Sequence, residues 1–146
     1  MTTQFCWYPS ESTHNLGQAV EFESNRLGLS HSAANFFLAS CLQAIRQLEL
    51  GNLRIGRDFR PIALARSEDL LELRFSFRAD SENLARLYFT QIFEVMMSIG
   101  LHLRIKSLDG DRGQIRETQN SDISEALECL RIAKTEKFSK CLQKDE

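Results

Sequence analysis

The sequence predicts an α+β fold: an N-terminal helical hairpin packed on a small, mostly antiparallel sheet of three to five strands, with a C-terminal helix. Its 146 residues suit one domain, and a content of 42% hydrophobic and 26% charged residues is typical of a folded chain. In residues 32–50 the apolar positions recur at nearly every fourth residue, whereas after Gly56 the spacing changes to two. This order favours helices on one face of the sheet and a partly polar opposite face.

The N-terminal third predicts one strand and two helices. Residues 4–8 are rich in aromatic side chains and predict a strand, and 12–27 and 32–50 predict helices. The helix start and stop signals are a cap at Ser30 or Ser32 and the glycines Gly28 and Gly51. Because only a few residues join the two helices, we expect them to form an antiparallel hairpin.

Strand patterns occupy the middle of the chain. Residues 71–78 alternate without a break, so that Leu73 and Phe75 face one way while Arg74 and Arg78 face the other. The remaining extended segments are a weak edge strand at 59–65, which Pro61 limits, a strand at 84–89 after a turn at 79–83, and a strand at 93–106.

The C-terminal part predicts a loop followed by a helix. Residues 107–120 are polar and contain two glycines, which is typical of a loop. Ser121 then caps an amphipathic helix that ends in a charged, frayed tail. We therefore expect a single domain with an N-terminal extension at 1–29, a core at 30–138 and a tail at 139–146.

The net charge of −2 conceals an arginine-rich middle third. Residues 54–116 carry eleven basic and nine acidic side chains, and ten of the eleven are arginines. The guanidinium group offers a bidentate fork that suits phosphate, which lysine lacks. A solvated surface accounts for such a mild asymmetry equally well.

The sequence predicts a soluble, cytoplasmic protein with no membrane segment, metal site or cofactor. The N-terminus lacks the basic start and apolar core of a signal peptide, and no apolar run approaches the length that spans a bilayer. The three histidines lack closely spaced ligand partners for zinc. We expect the cysteines to be reduced thiols, two of them inside helical patterns: Cys6, Cys41, Cys129 and Cys141.

The residues that can carry chemistry lie on one strand face. Phosphate-binding glycine loops, metalloprotease motifs and nucleophile elbows are absent from the sequence. If the strands are neighbours, their outward cations converge and can hold a phosphodiester: Arg74, Arg78, Arg86, Arg104 and Lys106. Outward strand positions are polar in any case, so a solvated sheet face remains the alternative.

Short motifs resemble the RelE/ParE superfamily of toxins, particularly its HigB-like branch. They are LLELRF (70–75), ARLYF (85–89), HLRIK (102–106) and SDISEA (121–126), after a helical hairpin that ends in LELG (48–51). The resemblance implies a component of a bacterial toxin–antitoxin system that cleaves translated messages without a metal and is neutralised by a small antitoxin protein.

The resemblance also implies roles for individual residues. Arg74 and Arg86 would stabilise the phosphate during attack by the ribose 2′-hydroxyl, and Lys106 would hold the phosphate or transfer a proton. His102 is the histidine nearest to them and a candidate acid or base. Arg78 and Arg104 are candidate substrate-binding residues.

A second hypothesis is a non-catalytic protein-binding module of the same fold, because the superfamily also contains gyrase inhibitors. Exposure of Trp7, Tyr8, Phe36 and Phe59 in one patch would favour this module. Either hypothesis allows a homodimer through the helix at 32–50, although burial in the monomer core is the simpler use of its apolar stripe.

Overall fold

The protein has an α+β fold with a five-stranded mixed sheet. The computed structural model describes residues 2–53, 59–61, 70–79, 81–107 and 112–142. In chain order the elements are β1 (Gln4–Trp7), α1 (Leu16–Arg26), α2 (His31–Leu50), β2 (Phe59–Pro61), β3 (Leu71–Ala79), β4 (Ser81–Ile92), β5 (Met97–Ser107), α3 (Arg112–Thr135) and α4 (Ser139–Leu142). The predicted fold class, with its N-terminal helices and C-terminal helix, is confirmed.

The strands lie in the order β1-β5-β4-β3-β2, with β1 parallel to β5 and every other pair antiparallel. Gly100 on β5 lies opposite Trp7, and a Cβ there would lie 2.5 Å from the ring of Phe5. A bulge between Tyr88 and Phe89 shifts the register of β4 against β5. On β5, Ile99 and Leu101 belong to one apolar cluster, whereas Leu103 and Ile105 belong to another.

Side-chain caps fix the two N-terminal helices. Asn15 accepts a hydrogen bond from the backbone N–H of Gln18, and Ser30 accepts one from Ala33. Gly51 ends α2 with φ of 73°, a conformation that glycine adopts without strain. The predicted end of α2 at Gly51 is thus confirmed, whereas α1 begins four residues later than expected because its cap is Asn15.

Helices cover both faces of the sheet, so the expected arrangement of helices on one face is wrong. Helices α1 and α2 pack on a core that includes Phe37, Leu73 and Leu87. On the opposite face, α3 packs Ile123 and Leu130 against a second apolar cluster. The polar side chains of this second face therefore lie close to α3, whose carboxylates can pair with them.

Several helices and strands begin at residues other than those predicted from the sequence. Within the expected loop at 107–120, α3 already begins at Arg112, so Ser121 lies inside the helix and does not cap it. The polar residues there include good helix formers, and their side chains lie outside the described residues. β4 begins at Ser81, inside the turn predicted at 79–83. Residues 93–96, the start of the strand expected at 93–106, form a turn instead, so β5 begins at Met97. Residues 62–65 of the predicted edge strand lie outside the described residues.

Two of the four cysteines form a disulfide, which corrects the expectation of four reduced thiols. Cys6 on β1 and Cys141 on α4 are bonded, with their Cα atoms 6.0 Å apart. A separation of 135 residues gives no sequence signal for the pairing. Cys41 is a free thiol as expected, and burial raises its pKa to about 12. In the described part of the chain, every helix is too short or too polar to cross a bilayer.

Candidate functional site

Three arginines form a line across the three central strands. Arg74 on β3 lies directly opposite Arg86 on β4, which lies directly opposite Arg104 on β5. Residues opposite each other in neighbouring strands share a face, so the three side chains start from the same side of the sheet. Of the five cations that the alternation predicts to converge, these three therefore lie in one row.

Glu72 is the buried anchor of this line. It lies two residues before Arg74 on β3 and has no solvent exposure. Its Oε1 accepts a hydrogen bond from Nε of Arg74 at 2.5 Å, and its Oε2 lies 3.9 Å from Nε of Arg86. The Arg86 side chain is only 6% exposed, so this carboxylate offsets a buried positive charge.

Arg104 is held by carboxylates from two helices. Its Nε donates to Asp122 of α3 at 2.7 Å, and its terminal nitrogens lie 3.4 Å from Glu23 of α1 and 3.3 Å from Glu125. Burial alone would lower the pKa of Arg104, but Asp122 and Glu23 outweigh it and raise the pKa. The guanidinium is therefore committed to internal ion pairs.

His102 belongs to the same carboxylate group. Its Nε2 lies 3.4 Å from Glu125 and 3.8 Å from Asp122, and its ring stacks on Tyr88 with centroids 5.9 Å apart. Four residues of strand separate His102 from Lys106, which corresponds to about 13 Å. The structure thus separates the two groups that the resemblance assigned to proton transfer.

Lys106 instead joins the two arginines nearest to Glu72. It lies opposite Leu84, one diagonal step from Arg86. Burial lowers the pKa of Lys106, and the charges of Arg86 and Arg74 lower it further. We call Arg74, Arg86, Lys106 and Glu72 the cationic patch. A cation whose pKa is lowered by its neighbours is a recurring feature of functional sites.

The predicted site residues therefore divide into groups. Arg74, Arg86 and Lys106 lie together in the cationic patch, and Arg104 and His102 lie with the carboxylates of α1 and α3. Arg78 is exposed on the same strand as Arg74, about 13 Å farther along it, and lies outside both groups.

The acidic partners are the functional residues that the sequence reasoning missed. Glu72 shares the strand alternation of Arg74, so its position on the arginine face was readable from the sequence. Asp122 and Glu23 reach this region from helices on two different sides of the sheet. Their pairing with Arg104 depends on helix placement, for which the sequence carries no local signal.

Glu23 also completes the edge of the sheet. Its Oε1 accepts the backbone N–H of Ile105 at 2.8 Å, and Arg26 donates to the backbone carbonyl of Ile105 at 2.8 Å. Arg26 and Glu23 are themselves joined by two hydrogen bonds of 2.9 Å. The pair occupies the backbone groups that a neighbouring strand would otherwise bond, which protects this edge of β5.

No family model, no curated protein and no solved structure matches this chain. Within the described residues, no group of three or more His, Cys, Asp or Glu side chains is placed to hold a metal ion.

Proposed function

We propose that this protein is the message-cleaving component of a bacterial toxin–antitoxin system, an endoribonuclease that uses no metal. The observation that carries the proposal is the cationic patch, in which Arg74 and Arg86 lie beside Glu72 and Lys106 lies on the next strand, one diagonal step from Arg86. Such a fixed group of donors stabilises the negative charge that develops on a phosphate during attack.

In the proposed reaction, the residues of the cationic patch have separate roles. The Arg74 side chain is 38% exposed and is placed to contact the phosphate oxygens. Arg86 is buried and acts through its charge, while Glu72 orients Arg74 through a hydrogen bond and lies 3.9 Å from Nε of Arg86. Burial and the charges of Arg86 and Arg74 lower the pKa of Lys106 and so favour its neutral amine, the form that accepts the proton of the ribose 2′-hydroxyl. The 2′-oxygen then bonds to phosphorus, the bond to the 5′-oxygen breaks, and that oxygen takes a proton from water.

Controlled expression in a bacterial host tests this proposal. We expect growth arrest with message cleavage for the wild type and normal growth for the double variant Arg74→Ala/Lys106→Ala. Both residues are partly exposed, so neither substitution removes a core contact. The matched control is Arg46→Ala/Arg131→Ala, which removes two exposed positive charges elsewhere and should still arrest growth. Normal growth of the wild-type host would overturn the proposal.

The second candidate, a non-catalytic protein-binding module, is favoured by an apolar turn. Between β4 and β5 the side chains of Phe93, Val95 and Met96 are 55%, 49% and 37% exposed. Three adjacent apolar groups at the end of a sheet are typical of a protein contact. The single patch expected from Trp7, Tyr8, Phe36 and Phe59 does not form among the described residues, because Trp7 and Tyr8 are buried. Phe36 is exposed on α2, and the Phe59 side chain lies outside the described residues.

The same expression experiment separates the two candidates. A binding module that arrests growth would leave messages intact, and its effect would be lost in a Phe93→Ser/Val95→Ser variant. A ribonuclease would retain message cleavage in that variant, because the turn contributes nothing to the cationic patch.

A further inference from the structure

A cavity of about 540 Å³ opens where β1 stops short of the end of β5. The backbone N–H of Tyr8 makes the last hydrogen bond to Gly100, after which the chain turns away. The next residues of β5, Leu101 and Leu103, line the cavity floor, while α1 and α3 supply opposite walls. A cavity of this size accommodates a small organic molecule.

The walls expose apolar side chains toward this space. Phe22 of α1 is 56% exposed and Ile132 of α3 is 49% exposed, and both line the cavity. Trp7 lines it as well and is 8% exposed, and its indole Nε1 has no hydrogen-bond partner among the described residues. An apolar ligand would bury surface that water now covers.

Three carboxylates line the same side of the cavity. Glu125 and Glu128 lie on α3, and Glu136 lies in the turn that follows this helix. Cys129 lies between them, and burial together with the charges of Glu125 and Glu128 raises the pKa of its thiol. Glu125 is paired with Arg104, whereas Glu128 and Glu136 give the cavity lining further negative charge, which favours a positively charged ligand.

The chain's own ammonium group already occupies part of this wall. Nζ of Lys140 lies 5.7 Å from the centroid of the Tyr8 ring and 3.8 Å from a carboxylate oxygen of Glu136. The Tyr8 hydroxyl donates a hydrogen bond of 2.6 Å to the same oxygen. An aromatic face beside a carboxylate is a common recognition pattern for organic cations.

We propose that this cavity binds a small organic cation, an ammonium group carried on an apolar body. Glu128 and Glu136 receive the charge, while Phe22, Ile132 and Trp7 contact the apolar body. The ammonium of Lys140 competes for the same position beside Glu136. The site is separate from the cationic patch, so the proposal is independent of RNA cleavage.

Phenethylamine is the probe, because its ring and ammonium match the two kinds of wall. Trp7 is the single tryptophan of the chain and lines the cavity, so its fluorescence reports occupancy directly. We expect phenethylamine to bind at least about five-fold more tightly than neutral 2-phenylethanol, corresponding to a partly exposed ion pair. The anionic 3-phenylpropanoate should bind more weakly than either.

Two sets of variants test the charge assignment. Glu128→Gln/Glu136→Gln should lower the affinity for phenethylamine to that for the alcohol. The matched control Glu21→Gln/Glu94→Gln removes two exposed carboxylates away from the cavity and should leave the affinity unchanged. Lys140→Gln should raise the affinity for the amine but not for the alcohol. Equal affinities for amine and alcohol in the wild type, or an unchanged Trp7 signal with every probe, would overturn the proposal.

Discussion

Replacing Glu72 with glutamine tests how the cationic patch is held together. The carboxylate is fully buried between Arg74 and Arg86. Its pair with Arg74 is partly screened by water, since that side chain is 38% exposed, and contributes about 1 kcal/mol or less. The larger cost is the charge of Arg86, which stays buried when its partner is neutralised.

Removing one partner of a buried ion pair costs about 3–5 kcal/mol. Because Glu72 and Arg86 are 3.9 Å apart, we expect a cost at the lower end of this range, a loss of about 3 kcal/mol in the free energy of unfolding of the Glu72→Gln variant. For a chain of this length that loss lowers the melting temperature by about 6–12 °C. Urea and thermal denaturation, followed by circular dichroism, measure both quantities.

Two further variants make the test specific. Arg74→Gln should cost less than about 1 kcal/mol, because it removes only the screened pair. The double variant Glu72→Met/Arg86→Met removes both buried charges and should return to within about 1 kcal/mol of the wild type. A Glu72→Gln variant as stable as the wild type would refute the anchoring role of Glu72.

Three other perturbations have defined outcomes. Lys106→Gln should raise stability at neutral pH by about 0.5–1 kcal/mol, since it removes a cation that Arg86 and Arg74 disfavour. The pKa of Lys106 is lowered in the folded state, so between that pKa and the unfolded value of about 10.4 the unfolded chain binds more protons and stability rises with pH. The pH–stability curve of the variant should lack this rise. Glu23→Ala should cost about 2–4 kcal/mol in urea denaturation, because Arg26 and Arg104 each lose one carboxylate partner and the buried backbone N–H of Ile105 loses its acceptor. Cys141→Ser should cost about 2–4 kcal/mol in urea without reductant, and adding reductant to the wild type should reproduce that loss while leaving the variant unchanged.

The sequence predicted those parts of the fold that depend on local residue patterns, such as strand alternation and helix caps. The alternation in residues 71–78 placed Arg74 and Phe75 on opposite faces of β3, and Ser30 and Gly51 marked the ends of α2. The start of α3 was missed because Gly110 and Gly113 are typical of a loop, although a glycine in the first turn of a helix is tolerated when the rest packs well.

The sequence predicted the cationic residues of the candidate site but not the ion pairs that they form. Strand adjacency was enough to bring Arg74 and Arg86 together, because a register of opposite residues follows from the hairpin. The ion pairs of Arg104 depend on where α1 and α3 dock, and the disulfide depends on the position of α4. Such contacts between residues distant in the chain leave no periodic signal, so only the folded structure reveals them.

The most direct test of the central claim maps the ends of messages recovered from cells that express the protein. If the protein is the proposed ribonuclease, we expect new ends within translated messages, with a 2′,3′-cyclic phosphate on one fragment and a 5′-hydroxyl on the other. These ends should disappear in Arg74→Ala/Lys106→Ala and persist in Arg46→Ala/Arg131→Ala. Intact messages in the wild type, or the same cleavage in the Arg74→Ala/Lys106→Ala variant, would contradict it.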